Sequence, residues 1–313
     1  MSEPLLSPEL TARLDALDLV TRKVLRGSVQ GDRRSKRRGQ SVEFADYRPY
    51  SVGDDLRRID WNLFGRLDKL FLRLFLEEED LSATVLIDAS TSMRYGQPQK
   101  LRYGLQLAAV LGYIGLSHQN TVSVHTFDRE LRPGPTGLRG RRSVQPLLTH
   151  LEAVASDAEP DPRPARGPGR PAGDPGAGLE AALRELALLH PRPGVVVVVS
   201  DFMFKQEVAD AMRVLAHPRF DAHAIQLLSP QEVDPSVGGV VGDLRLTDLE
   251  DGDAAEVSAT PRLLERYRVR LAAFCQHVRS ACHSRGVGYY TATTDKPLVT
   301  AVLRYFQQTG LLR

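Results

Sequence analysis

Cysteine and tryptophan are scarce in this sequence: two cysteines, Cys275 and Cys282, and one tryptophan, Trp61, in 313 residues. Seven positions apart, the two thiols share one face of a helix but stand roughly 10 Å apart along it, too far for a disulfide. No Cys-x-x-Cys pair or Cys/His cluster occurs, which excludes a thiolate zinc site or a dithiol redox centre. Two buried thiols in a reducing compartment are expected. No run approaches the ~18 apolar residues of a membrane span. The opening MSEPLLSPELTARLDALDLV carries acids where a secretory leader has a basic start. A cytoplasmic protein without membrane insertion is therefore expected. A Gly-x-x-x-x-Gly-Lys-Ser/Thr loop is missing, so the chain is not itself a P-loop ATPase. The eight histidines show no ligand or triad spacing.

Neither sign of charge is in excess: 41 Lys and Arg face 39 Asp and Glu. The distribution is less even. Arg22, Lys23, Arg26, Arg33, Arg34, Lys36, Arg37 and Arg38 form a basic arm with the single acid Asp32. Such an arm could meet phosphates, and a nucleic-acid-binding protein using Arg33, Arg34, Lys36, Arg37 and Arg38 is the alternative reading. No aromatic side chain interleaves the arm as a stacking platform would require. A solvated arm lying on the protein's own acids is the plainer reading, and nucleic acid is not the expected main partner.

What is present is a packed-core composition, 42% hydrophobic and 26% charged, over a length suited to one large domain and a smaller module. Residues 8–25 have helical periodicity with Leu10, Leu14, Leu17, Val20 and Leu25 broadly on one side. Residues 40–80 read as a small strand-rich module. From Ala83 the pattern alternates. Strands are expected at 83–88, 121–127, 194–199, 221–228 and 287–292, and helices at 100–118, 143–155, 178–190, 207–216, 261–285 and 297–309. This alternation predicts an α/β fold, a doubly wound, mostly parallel sheet with helices on both faces. A Pro/Gly-rich loop occupies 158–178, and a hairpin turning at Asp251-Gly252 interrupts the rhythm at about 236–259. The expected division is 1–80 for the N-terminal helix, arm and module, and 81–313 for the α/β domain, with the hairpin packing on the module.

One constellation carries chemistry. Asp88-Ala-Ser90-Thr-Ser92 follows the first buried strand, and Ser200-Asp201 follows the valine strand. Ligands of open α/β sheets bind beyond the carboxyl ends of strands. Two carboxylates and two hydroxyls, Asp88, Asp201, Ser90 and Ser92, are all hard oxygen donors, which suits magnesium or manganese and not zinc. Asp-x-Ser-x-Ser alone is a weak pattern that reads first as a helix cap; its position after a buried strand, with a second strand ending in Ser-Asp, favours the ion. A phosphatase with a nucleophilic Asp88 would place a second acid two residues on, where this chain has Ser90.

The run GQSVEFADYRPYSVGDDLRRIDW at 39–61, the segment RLDKLFLR at 66–73, and Asp88, Ser90, Ser92 and Met93 after them resemble the domain of unknown function 58 family. The stretches 242–246 and 266–294 are similar to it as well. The resemblance implies a von Willebrand factor A-like domain with a metal-dependent adhesion site. It also implies an adaptor role, not an enzymatic one, beside a MoxR-type AAA+ ATPase and a client protein. One position departs from that pattern: Ala177 stands where the site usually has Thr, leaving Asp174 as a possible substitute ligand. The dense charges Glu43, Asp46, Arg48, Asp54, Asp55, Arg57 and Asp60 read as a salt-bridge and capping network in the module.

Overall fold

In chain order the elements are α1 (Pro8–Leu14), β1 (Glu43–Pro49), α2 (Trp61–Leu67), β2 (Phe71–Leu76), β3 (Ser82–Asp88), α3 (Lys100–Ser117), β4 (Thr121–Phe127), β5 (Leu131–Arg132), β6 (Leu138–Arg139), α4 (Val144–Ser156), α5 (Pro175–Leu189), β7 (Gly194–Ser200), α6 (Val208–Leu215), β8 (Phe220–Leu228), α7 (Pro230–Val233), β9 (Gly242–Thr247), β10 (Ala254–Ala259), α8 (Pro261–His283), β11 (Gly288–Thr293) and α9 (Arg304–Gln308). They come from a computed structural model that describes residues 4–17, 19, 43–51, 54, 56–76, 81–156, 175–190, 193–204, 208–239, 242–247, 254–298 and 303–312. The basic arm, Asp55, Asp174 and the Asp251-Gly252 turn lie outside the described residues, as do most of the 158–178 loop and residues 299–302 of the expected last helix.

The main sheet has the order β11-β8-β7-β3-β4-β5, with β6 also on β4. The five long strands pair in parallel, and only the two-residue β5 and β6 run antiparallel. This is the mostly parallel α/β sheet the alternation predicts. Its strands are buried on both faces, so the valine strand splits by parity. Val195, Val197 and Val199 join the core under α1, α3, α4 and α9, while Val196 and Val198 join the core under α5, α6 and α8. Each such fully buried side chain contributes about 1.5–3 kcal/mol of transfer free energy. Helices on both faces leave the carboxyl edge of the sheet for the loops.

The first 23 residues group with 81–313, and 24–80 form a second unit, in place of the expected division at residue 80. The physical reason is the burial of Leu5, Leu14 and Leu19 in the core shared with α3. Tyr113 on α3 and Arg141 also bond Asp15, at 2.8 and 2.9 Å. The helix expected over 8–25 stops at Leu14, and Leu19 forms an isolated antiparallel bridge with Leu312. Of the last expected helix, Arg304–Gln308 is the regular part described. Cys282 is buried against the Met212 sulfur and Cys275 is half-buried, so only one of the two thiols is in the core.

The second unit is a two-stranded antiparallel ribbon, β1 on β2, linked by α2. Its network is partly the expected one. Asp60 caps α2 by accepting from the Asn62 and Leu63 amides and also accepts from the Tyr47 hydroxyl at 3.0 Å. Arg48 pairs with Asp54 at 2.7 Å. The side chains of Glu43 and Asp46 lie outside the described residues.

Candidate functional site at the carboxyl edge of the sheet

Register places the site. In the β3–β7 pairing Ile87 sits beside Val199, and in β7–β8 Ser200 sits beside Gln226. Asp88, Ser200 and Gln226 are therefore a row across three adjacent strand ends, all fully buried. Ser200 Oγ donates to Asp88 Oδ2 at 2.6 Å, and the Ser90 amide donates to Asp88 Oδ1 at 2.9 Å. Gln226 Nε2 donates to the Asp201 carbonyl at 2.9 Å. Phe202, next in the chain, has φ of 58°, a left-handed backbone that costs a non-glycine residue of order 1 kcal/mol or more. Its amide donates to Ser200 Oγ at 2.8 Å and the Met203 amide donates to Asp201 Oδ1 at 3.0 Å, which holds the strained turn in place.

Ser90 and Ser92 follow on the β3–α3 loop, their hydroxyl oxygens 3.1 Å apart. An octahedral magnesium with oxygens at 2.0–2.1 Å sets neighbouring ligands about 2.9 Å apart, so this pair fits one edge of the octahedron. Asp88 is held up at a pKa of about 7, by burial first and by the nearby Asp201 carboxylate second, against the hydrogen bonds from Ser200 and Ser90. Among the described residues no cation is a cause acting on Asp88, and its bonded partners Ser200 and Ser90 are neutral. The donor set thus suits a hard divalent cation. Among the described residues no group of three or more His, Cys, Asp or Glu side chains is arranged to hold a metal, so an ion at this edge depends on the serine hydroxyls. Ala177 opens the second residue pair of α5, but its side chain is outside the described set.

Three participants were not among the residues singled out from the sequence. Lys100 opens α3 and is fully buried, with Nζ 2.7 Å from Asp201 Oδ2 and 2.5 Å from Glu232 Oε1. Burial works to depress this ammonium, but Asp201 and Glu232 outweigh it and hold its pKa above the ordinary lysine value. Glu232 closes a capping box on α7, taking the Ser229 amide on Oε2 at 2.7 Å while its own amide donates to Ser229 Oγ at 3.2 Å. Ser200 is the third. The Ser-Pro-Gln-Glu capping signature at 229–232 and a lysine heading a largely apolar helix were the available signals. The β3–α3 loop is pinned to α7 by two bonds between Gln97 and Gln231, at 3.2 and 3.0 Å.

Comparison with known proteins follows this geometry. A family model described as "Protein of unknown function DUF58" matches residues 46–277, which include Asp88, Lys100, Asp201 and Glu232. "Uncharacterized protein Rv1480" of Mycobacterium tuberculosis and "Uncharacterized protein Mb1516" of Mycobacterium bovis are each 26% identical over 301 residues, 95% of this chain and 89% of theirs. Among solved structures the chain is similar to the conserved hypothetical protein BatB from Bacteroides thetaiotaomicron, at 12% identity and TM-score 0.43 over 74% of this chain and 98% of that one. It is also similar to the manganese-loaded TRAP protein of Plasmodium vivax, at 15% identity and TM-score 0.34 over 47% of this chain and 57% of that one. No helix among the described residues is long and apolar enough to cross a membrane. With its family match running from the small unit through the strand-end site into α8, the chain belongs to the DUF58 family.

Proposed function

We propose that this chain is a von Willebrand factor A-like adaptor and not an enzyme. It captures an acidic side chain of a partner through a divalent cation at Asp88, Ser90 and Ser92, with Asp201 as the second carboxylate of the edge. The observation that carries this reading is the 3.1 Å spacing of the Ser90 and Ser92 hydroxyls beside a buried Asp88 that pairs with no cation among the described residues. Magnesium or manganese bound there would supply an open coordination position for a carboxylate. The residues do the rest. Ser200 and the Ser90 amide fix the Asp88 carboxylate, and the paired Gln97 and Gln231 fix the loop that presents the serines. Ser90, where an acid would be needed for phosphoryl transfer at Asp88, speaks for binding over catalysis. Following the family resemblance, the partner we propose is a MoxR-type AAA+ ATPase acting on a client protein, in the cytoplasm.

The test is calorimetric titration of the purified protein with magnesium and manganese, wild type beside Asp88→Ala. It is followed by binding to the ATPase with magnesium and with chelator. Saturable ion binding lost in the variant, and partner binding lost with chelator, are expected. Partner affinity unchanged by Asp88→Ala would sink the ion-bridged mechanism.

A further inference from the structure

Lys100 places a full positive charge inside the site, and that charge is already committed. The Lys100 and Asp201 side chains are 0% and 1% exposed and the Glu232 side chain 12%. Both carboxylate oxygens of Asp201 are engaged, Oδ2 by the ammonium at 2.7 Å and Oδ1 by the Met203 amide at 3.0 Å. Asp88 differs. The groups that bond it, Ser200 and Ser90, are neutral. Separating a buried ammonium from its carboxylates leaves charges without compensation, a heavier penalty than forming a new ligand bond at Asp201 would offset. A cation arriving at this edge is drawn to the carboxylate whose partners carry no charge.

Resting on the ion-dependent reading above, we propose that Lys100 is a positioning residue that removes Asp201 from the ligand set of the divalent ion. Its ammonium is the resident cation of Asp201 and Glu232. Asp88, Ser90 and Ser92 are then the direct ligands, and one ionised carboxylate does not balance a doubly charged ion. The remaining negative charge comes from the partner. Lys100 thus sets the chemistry of that partner: an acidic side chain, with the ion alone bound weakly. The same ammonium joins the start of α3, the turn after β7 and α7, so the ligand loop keeps its shape before an ion arrives.

The experiment titrates Mn2+ into the full chain, read by the resonance signal of free Mn2+ and by the melting temperature. Wild type is compared with Asp88→Asn, Asp201→Asn, Lys100→Met and the double variant Lys100→Met/Asp201→Asn. Asp88→Asn is expected to lose binding, and Asp201→Asn to stay within about threefold of wild type. Lys100→Met, which frees the second carboxylate, should bind about tenfold tighter or more, with a larger Mn2+-induced rise in melting temperature. The double variant should return to the wild-type level. If Lys100→Met does not fold alone, the comparison of Asp201→Asn with Asp88→Asn still decides. Loss of Mn2+ in Asp201→Asn as complete as in Asp88→Asn overturns the role of Lys100 and leaves the ion-bridged adaptor standing. A folded Lys100→Met that binds no tighter overturns it too. No binding by wild type or by Lys100→Met overturns the ion-dependent reading itself, and this inference with it.

Discussion

Ser200 Oγ donates to Asp88 Oδ2 at 2.6 Å while accepting from the Phe202 amide at 2.8 Å, so one hydroxyl joins two parallel strand ends and a left-handed turn. All three residues are fully buried. Removing the hydroxyl in Ser200→Ala leaves a carboxylate and an amide each short of a partner away from water. The expected loss of stability is about 1–3 kcal/mol, read from urea unfolding at pH 8. Losing a donor to the ionised form also moves the Asp88 pKa further up from about 7, which a carboxyl NMR titration would follow. An unchanged urea midpoint would show that Ser200 does not hold the strand ends together.

His125, inside β4, sets a pH dependence that is separate from the site. Its Nδ1 accepts from the Gly134 amide at 3.2 Å, so its Nε2 carries the proton toward His190 Nε2, 2.8 Å away. Burial, then the neighbouring His190 and His150, hold the His125 pKa down at about 4. His150 and His190 are also lowered by burial. A base whose folded pKa lies below its unfolded value of 6.5 binds fewer protons when folded. Its contribution is present above pH 6.5 and is lost as pH falls from 6.5 toward 4, by about 3 kcal/mol for His125. Urea midpoints measured from pH 7 to 4.5 should fall, and His125→Gln should flatten that slope. An equal slope in the variant would assign the acid sensitivity to other groups, His150 and His190 first among them.

The same contrast explains what was legible in the sequence. Strands β3, β4, β7 and β8 stand within a residue of their expected bounds: β3 and β7 because a buried parallel strand leaves a nearly continuous apolar run, β4 and β8 because apolar residues recur through a short segment set between helical ones. Asp88, Ser90, Ser92 and Asp201 were legible for a related reason: polar residues directly after such runs mark the carboxyl edge. The two-residue strands β5 and β6 were not, since two residues carry no periodicity. Lys100 was hidden by distance along the chain. Its partners Asp201 and Glu232 are 101 and 132 residues away, and a lysine at a helix start reads as solvated until tertiary structure brings them together. The end of α1 was hidden similarly, because Leu17 and Val20 continue the apolar spacing in the sequence, yet Leu17 serves in a turn and Leu19 bridges to Leu312.

Leu14 tests whether α1 is an integral part of the α/β body. It is 0% exposed and shares one core with Leu111, Ile114 and Leu312. Ser7 caps the helix by accepting from the Leu10 amide at 3.2 Å, and Asp15 ends it beside Tyr113. A helix of seven residues does not hold itself together in water, so docking is what keeps it helical. Leu14→Ala is expected to cost about 2–5 kcal/mol, with a lower melting temperature and faster hydrogen exchange in the facing turns of α3. Stability within about 0.5 kcal/mol of wild type, the range of surface substitutions, would mean that α1 is dispensable.

Gly96 links the ligand loop to its support, and no other residue fits there. Its φ is +97°, and an added Cβ would stand 2.4 Å from Ser229 Cβ. Ser229 is fully buried and holds the capping box with Glu232, so it has no room to yield. Gly96→Ala therefore strains the backbone and pushes the β3–α3 loop away from α7 at once. The bonds between Gln97 and Gln231 lie one residue on and should break with it, and the Ser90–Ser92 pair and Lys100 lie on the two sides of the same loop. The expected outcome has two parts: a loss of about 2 kcal/mol or more from the overlap and strain, and weaker Mn2+ binding by the protein that remains folded. Changes confined to stability would mean that the serine pair is held by β3 alone. A loss of both would place the support of the ligand loop at the contact between Gly96 and Ser229.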